Sequence, residues 1–206
     1  MMSLWKQKLS LTRQVLLVGP MALQFPDANL RRDKILIGVD GGVWSEHLSL
    51  YDVTLGDGDS LRSPVKLDHH FSSDKNESDL SLALKLLPPD LISVELWGFW
   101  GGRDDHQWVN LGEVFHWMNH SALVTIHRPD KAPIRLYPAG VHKMTTHHTF
   151  TLLSLEDAHF SIQGHCRWPL PRTQVAKLSS HLLSNQGQGE MTIECDHKFF
   201  CFEEAP

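Results

Sequence analysis

Three segments in the first half of the chain combine carboxylates with glycines in a way that suits phosphate and metal chemistry. They are Asp40-Gly41-Gly42, Gly56-Asp57-Gly58-Asp59-Ser60 and Gly101-Gly102-Arg103-Asp104-Asp105-His106. Glycines let the backbone come close to an anionic ligand and aim N–H groups at its oxygens. Asp57 and Asp59 sit two residues apart, so on an extended segment both carboxylates face the same way and can share one hard cation. Mg²⁺ is typically held by one or two carboxylates together with substrate phosphates. Arg103 follows a glycine pair at a helix start and suits a charge-assisted contact to phosphate. A fourth segment, Asp74-Lys75-Asn76-Glu77-Ser78-Asp79, precedes an amphipathic run, with Ser78 as N-cap and Asp79 in the first turn.

Each segment taken singly also has an ordinary reading. Asp and Gly at strand ends are commonly turns, and acidic residues that open a helix are commonly dipole partners. His106 and Asn110 share a helical face, where a cap or core role fits as well as a ligand contact. What favours function is where the segments fall. The apolar runs Val15–Val18, Ile35–Val39, Val53–Leu55, Val94–Trp97 and Leu123–Ile126 read as buried strands. Three of them lead into the three glycine-rich segments. Ligands of an open parallel sheet bind outside the carboxyl ends of its strands, so these segments are expected to meet in one crevice.

Two helices complete this part. Leu80, Ala83, Leu84 and Leu87 recur at helical spacing before Pro88-Pro89, and Leu111, Val114, Phe115 and Met118 repeat it. Strand, helix, strand in succession predicts a mostly parallel α/β sheet covered on both faces. Beyond Pro129 and Pro133 the texture changes. Ile134–Tyr137, Thr149–Leu153, His159–Ile162, Met191–Glu194 and Phe199–Phe202 are short, β-prone and separated by turn residues, which predicts a small antiparallel β-sandwich. The expected boundary falls near residue 132, giving domains 1–132 and 133–206.

Composition narrows the partners. With 206 residues, 41% hydrophobic and 21% charged, the chain has an ordinary globular balance. A net charge of -5 provides no basic field, so neither nucleic acid nor an anionic membrane is an expected partner. Cys166, Cys195 and Cys201 follow no metal-ligand spacing and read as reduced thiols. The adjacent pairs His69-His70 and His147-His148 would point to opposite faces of a strand and chelate poorly, so the fourteen histidines read as surface or core residues. Lys6, Lys8 and Arg13 before Val15–Val18 resemble a signal peptide faintly, but the apolar run is short and stops at Gly19-Pro20. A cytoplasmic protein is expected.

In this order, Asp40-Gly41-Gly42, Gly56 to Ser60, Lys75 to Asp79, and Gly101 to His106 with Asn110 resemble the motif series of thiamin pyrophosphokinases. Gly164-His165-Cys166-Arg167-Trp168-Pro169-Leu170, the pair Ser184-Asn185 and the stretch from Met191 to Phe202 resemble the family's second half, so the likeness spans nearly the whole chain. The resemblance implies an α/β nucleotide-binding domain, a thiamin-binding β-sandwich, and a homodimer with active sites at the subunit interface. It implies transfer of the terminal pyrophosphate of ATP to the thiamin hydroxyl, with release of AMP. Asp57, Asp59 and Asp79 would hold Mg²⁺. Asp40, Gly41, Gly42, Ser78, Arg103, Asp105, His106 and Asn110 would line the ATP and thiamin crevice. Trp168, Ser184 and Asn185 would contact thiamin, an aromatic face opposite a cationic thiazolium being chemically apt.

The chain departs from the pattern at several points. Asn76 stands where the family usually has Asp, with Asp74 two residues earlier as a compensating charge. Gly58 replaces a bulky residue between the paired aspartates, Asp104 adds a charge, and the stretch from Val43 to Leu50 is short. Two alternatives follow: a related pyrophosphokinase acting on another alcohol such as a hydroxymethyl pterin, and a catalytically weak module that binds thiamin or nucleotide.

Overall fold

The structure is a computed structural model that describes residues 7–8, 11–118 and 122–204, so Lys6 lies outside the described residues. The chain divides into two compact units, Met1–Pro129 and Asp130–Pro206.

The first unit is built on strands β1 (Gln14–Val18), β2 (Ile35–Val39), β3 (Val53–Gly56), β4 (His69–His70), β5 (Ser93–Trp97) and β6 (Leu123–Arg128). Their order is β6-β5-β1-β2-β3-β4, and every pairing among them is parallel. β2 is buried along its whole length and β1 from Val15 onward, which is why both read as unbroken apolar runs. All six strands point the same way, so the segments after β1, β2, β3 and β5 emerge at the same end of the sheet.

The helices of this unit include α1 (Ala28–Arg31), α2 (Asp79–Lys85) and α3 (Asp104–Trp117). In α2 the Ser78 hydroxyl accepts the Ser81 N–H at 3.0 Å, and Leu80, Ala83 and Leu84 are buried. Loss of such a cap costs about 1 kcal/mol. α2 packs beneath β2 and β3 and against α3, whose Leu111, Val114 and Phe115 are buried. Asp104 and Asp105 occupy the first turn of α3, so the extra charge at Asp104 sits where the helix dipole favours it. β4 and α1 had no signal in the hydrophobic pattern. β4 is two exposed histidines whose strand pairs in parallel with Leu55 and Gly56 of β3.

The second unit contains β7 (Lys131–Tyr137), β8 (Gly140–Thr146), β9 (Thr149–Leu153), β10 (Ala158–Cys166), β11 (Leu170–Val175), β12 (Asn185–Cys195) and β13 (Phe199–Glu203). All its pairings are antiparallel. β12 changes partners along its length: Asn185 and Gln186 pair with β9, whereas Gly189–Cys195 pair with β8. The core includes Phe150, Phe160, Ile162, Phe199 and the free thiols of Cys195 and Cys201. No helix among the described residues is long and apolar enough to cross a membrane.

Candidate functional site

The loops at the carboxyl ends of β2 and β3 meet the start of α2. Ligand atoms of Asp40, Asp57 and Asp79 lie within 4.8 Å of one another, and this cluster contains no histidine. Asp40 is buried, with 4% exposure, and has a left-handed backbone (φ 47°) as the first residue of a 3-10 turn over Asp40–Gly42. Its Oδ1 accepts the Gly58 N–H at 3.1 Å, which ties the two loops together. A charged residue held both buried and in an unusual backbone conformation marks a position that the surrounding fold over-determines.

The glycines make this convergence possible. A Cβ on Gly42 would lie 2.0 Å from the Val18 carbonyl oxygen at the end of β1, so no side chain fits there. Tyr51 secures the same turn: its hydroxyl donates to the Gly42 carbonyl at 2.6 Å and accepts the Trp44 N–H at 3.2 Å. Burial pushes the Tyr51 phenol up to about 12. Gly41 is likewise packed against Ser60, whereas nothing lies within 4 Å of a Cβ built on Gly101.

The expected pairing of Asp57 with Asp59 assumed an extended segment, and Gly58 has φ 85°. The loop turns there instead, with the Asp59 N–H donated to Asp57 Oδ1 at 3.2 Å. Asp59 is exposed, accepts the Ser60 hydroxyl at 2.8 Å, and lies outside the three-carboxylate cluster. Asp40 supplies the third carboxylate. Asp74 and Asn76 are both exposed, and Asp74 does not belong to the cluster.

Lys75, to which the sequence assigned no role, reaches into the cluster. Its ammonium forms an ion pair with Asp57 Oδ2 and lies 3.4 Å from Asp79 Oδ1. The Lys75 hydrogen bond holds the Asp57 carboxyl below its usual range. Burial raises that of Asp79, and the charges of Asp57 and Asp40 add to the rise against the opposing pull of Lys75. Asp79 Oδ1 is buried and makes no hydrogen bond. Burial works against the charge on Lys75, but Asp57 and Asp79 outweigh it and raise its pKa.

The other candidates from the first unit are arranged nearby in the chain but not in the cluster. Arg103 and Asp105 are exposed and pair with each other, Nε to Oδ1 at 3.1 Å and Nη2 to Oδ2 at 2.5 Å. His106 is exposed. Asn110 Nδ2 donates to the Phe99 carbonyl at 2.9 Å, fastening α3 to the loop after β5. Arg62 was not singled out, because an isolated Arg in a loop carries no pattern. Its guanidinium lies 4.1 Å from the Trp44 ring centroid and donates to Ala22 O at 2.5 Å, joining the loops after β1, β2 and β3.

In the second unit Trp168 is 52% exposed, with the Arg167 guanidinium 4.6 Å from its ring centroid. Asn185 is buried beneath it: Oδ1 accepts the Trp168 N–H at 3.2 Å and Nδ2 donates to the Trp168 carbonyl at 2.8 Å. Ser184 is exposed with φ 59°, and its N–H is donated to Thr151 Oγ1 at 3.0 Å. Asn185 therefore holds the Trp168 backbone, which leaves Trp168 and Ser184 as the side chains available at this surface.

Three carboxylates, one with a buried oxygen that makes no hydrogen bond, supply hard oxygen donors that fit a small divalent cation such as Mg²⁺. No model of a protein family matches the chain, and no curated protein matches its sequence. Solved structures do. A thiamine pyrophosphokinase from Bacillus subtilis superposes with a TM-score of 0.73 at 16% identity, covering 94% of this chain and 99% of its own. The fold is that of thiamin pyrophosphokinases. The enzyme from Candida albicans gives 0.73 at 17% identity over 94% of this chain and 89% of that one, and the yeast enzyme 0.68 at 13% identity over 93% and 86%.

Proposed function

We propose that the chain transfers the pyrophosphoryl group of ATP to the hydroxyl of thiamin, yielding thiamin diphosphate and AMP. The observation that carries this reading is the meeting of Asp40, Asp57 and Asp79 at the carboxyl end of a parallel sheet, within a fold shared with thiamin pyrophosphokinases. In this reading residues 1–132 bind ATP and Mg²⁺, and residues 133–206, a small sandwich, bind thiamin and form a homodimer with active sites at its interface.

Asp40, Asp57 and Asp79 would hold Mg²⁺, with Asp59 at the rim of the same loop. Bound there, the ion would neutralise charge on the phosphate chain. Open backbone at Gly101, together with Arg103, Asp105, His106 and Asn110 around the start of α3, would receive the nucleotide. Gly41, Gly42 and Ser78 act by shaping the loops that carry the carboxylates. Trp168 and Ser184 would meet the thiazolium, a reading supported by the Arg167 guanidinium that lies against the Trp168 ring. No covalent intermediate is needed, because the acceptor hydroxyl is the nucleophile and the protein aligns it. The raised pKa of Asp79 suits proton removal, but ligation to a metal would lower its basicity, so the proposal assigns Asp79 to the metal.

Nucleotide product analysis with thiamin, ATP and Mg²⁺ tests the reading. AMP formed in step with thiamin diphosphate is the expected result. ADP in its place would mean simple phosphoryl transfer and would refute it. AMP formed only with a hydroxymethyl pterin would keep the reaction and change the acceptor.

A further inference from the structure

Resting on the metal reading above, we infer that Lys75 is a displaceable internal counter-ion, one that occupies the carboxylate cluster in the metal-free protein and gives up its place when a divalent cation binds. Three carboxylates whose ligand atoms lie within 4.8 Å repel one another strongly once withdrawn from water. One ammonium against three carboxylates still leaves two negative charges without a partner in the cluster, the charge of one divalent ion.

Two of the three carboxylates are shared. Lys75 Nζ engages Asp57 Oδ2 and approaches Asp79 Oδ1, and both oxygens belong to residues able to ligate a metal. An ammonium directs its protons at individual lone pairs, so it competes with a metal ion for the carboxylate oxygens it engages. It also serves the cluster unevenly. It pairs closely with Asp57, while Asp79 Oδ1 stays 3.4 Å away and lacks a hydrogen bond. Lysine satisfies one carboxylate and leaves the other short.

Lys75 is free to leave. It lies in the irregular segment between β4 and α2, where Ser72, Ser73, Asp74, Asn76 and Glu77 are all exposed. A flexible four-carbon stem can carry the strongly hydrated ammonium outward without moving the helix. The i,i+4 spacing of Lys75 and Asp79 shows why the residue is well sited: it precedes the helix that supplies one carboxylate and reaches back over the other.

Calorimetric titration of Mg²⁺ alone into the full chain tests the inference, using the wild type, Lys75→Met and Lys75→Arg. With the competing ammonium gone, Lys75→Met is expected to bind Mg²⁺ roughly tenfold more tightly, the scale of one charged hydrogen bond. Lys75→Arg keeps the charge and should show no such gain. Equal or weaker binding by Lys75→Met, with the wild type binding normally, overturns the role of Lys75 and leaves the metal site standing. Failure of every protein to bind Mg²⁺ overturns the metal site and the inference together. A measurement on the wild type alone guards against a variant that does not fold: amine acylation mapped by mass spectrometry, with exposed Lys66 as the reference. Lys75 should become several-fold more reactive when Mg²⁺ is added, and unchanged reactivity would refute its displacement.

Discussion

Tyr51 donates its phenol to the Gly42 carbonyl at 2.6 Å, so a side chain two residues before β3 closes the turn that carries Asp40. The same hydroxyl accepts the Trp44 N–H, and its loss would leave two backbone groups without their partner. Tyr51→Phe should destabilise the protein by about 1 kcal/mol. Calorimetry should also show weakened Mg²⁺ binding, because the Asp40 backbone would no longer be held in its left-handed conformation. A variant as stable and as metal-competent as the wild type would show that the turn is held by other contacts.

The carboxylates divide into two classes. Asp40→Asn, Asp57→Asn and Asp79→Asn should each weaken Mg²⁺ binding by about tenfold or more, whereas Asp59→Asn should change it by about threefold or less. Titration of the four variants checks this directly. Asp59→Asn matching the other three would mean that the loop turns inward when metal binds.

Glycine substitutions should differ by location. Gly42→Ala forces a Cβ to 2.0 Å from the Val18 carbonyl and should cost several kcal/mol, on the order of 3 to 5. Gly101→Ala meets nothing within 4 Å, and only its φ of 104° is strained, for about 1 to 2 kcal/mol. Urea unfolding curves give both values. If Gly101→Ala folds but loses nucleotide affinity, its open backbone is the approach surface proposed for phosphate.

Glu95 on β5 should give stability a dependence on acid. Burial alone would raise its carboxyl, but His127 at 2.8 Å and Lys34 at 2.6 Å outweigh burial and hold it below the usual range. A depressed carboxylate contributes stability that is present above the unfolded-state value of about 4.3 and is lost as pH falls through the folded-state value. Glu95→Gln should therefore cost about 1 to 3 kcal/mol at neutral pH. The gap from wild type should close in acid, and thermal midpoints measured across pH would detect a gap that stays constant instead.

Asn185 should act on the acceptor site through Trp168. Asn185→Ala removes both hydrogen bonds to the Trp168 backbone and should cost about 2 kcal/mol. It should raise KM for thiamin with less effect on kcat, while Trp168→Ala should raise KM without a comparable loss of stability. If thiamin affinity ignores both changes, the acceptor surface lies elsewhere.

Strand and helix positions were legible wherever burial imposed a period. β1, β2, β5 and α2 bury Leu16, Ile37, Leu96 and Leu84, and these residues announce themselves by type and spacing. β4 carried no such signal, since exposed His69 and His70 pair through backbone atoms that every residue possesses. Lys75 was missed for a related reason: a lysine before a helix is ordinary until its carboxylate partners arrive from β3 and α2. Asp57 and Asp79 were identifiable from their motifs, and the family resemblance grouped them with Asp59. That Asp40 stands beside Asp57 and Asp79 was not legible, because it depends on how the loops after β2 and β3 turn, with a positive φ at Gly58.

The amino-acid sequence thus determined by itself the alternation of strands and helices, the change of texture near residue 132, and the glycine and aspartate segments at strand ends, because propensity and burial period act over a few residues. Only the tertiary structure decided which carboxylates face one another. That choice depends on the parallel order of β2 and β3, on the Gly42 backbone seated against Val18, and on a turn at Gly58. These relations join residues far apart in the chain, and no local pattern encodes the distance between them.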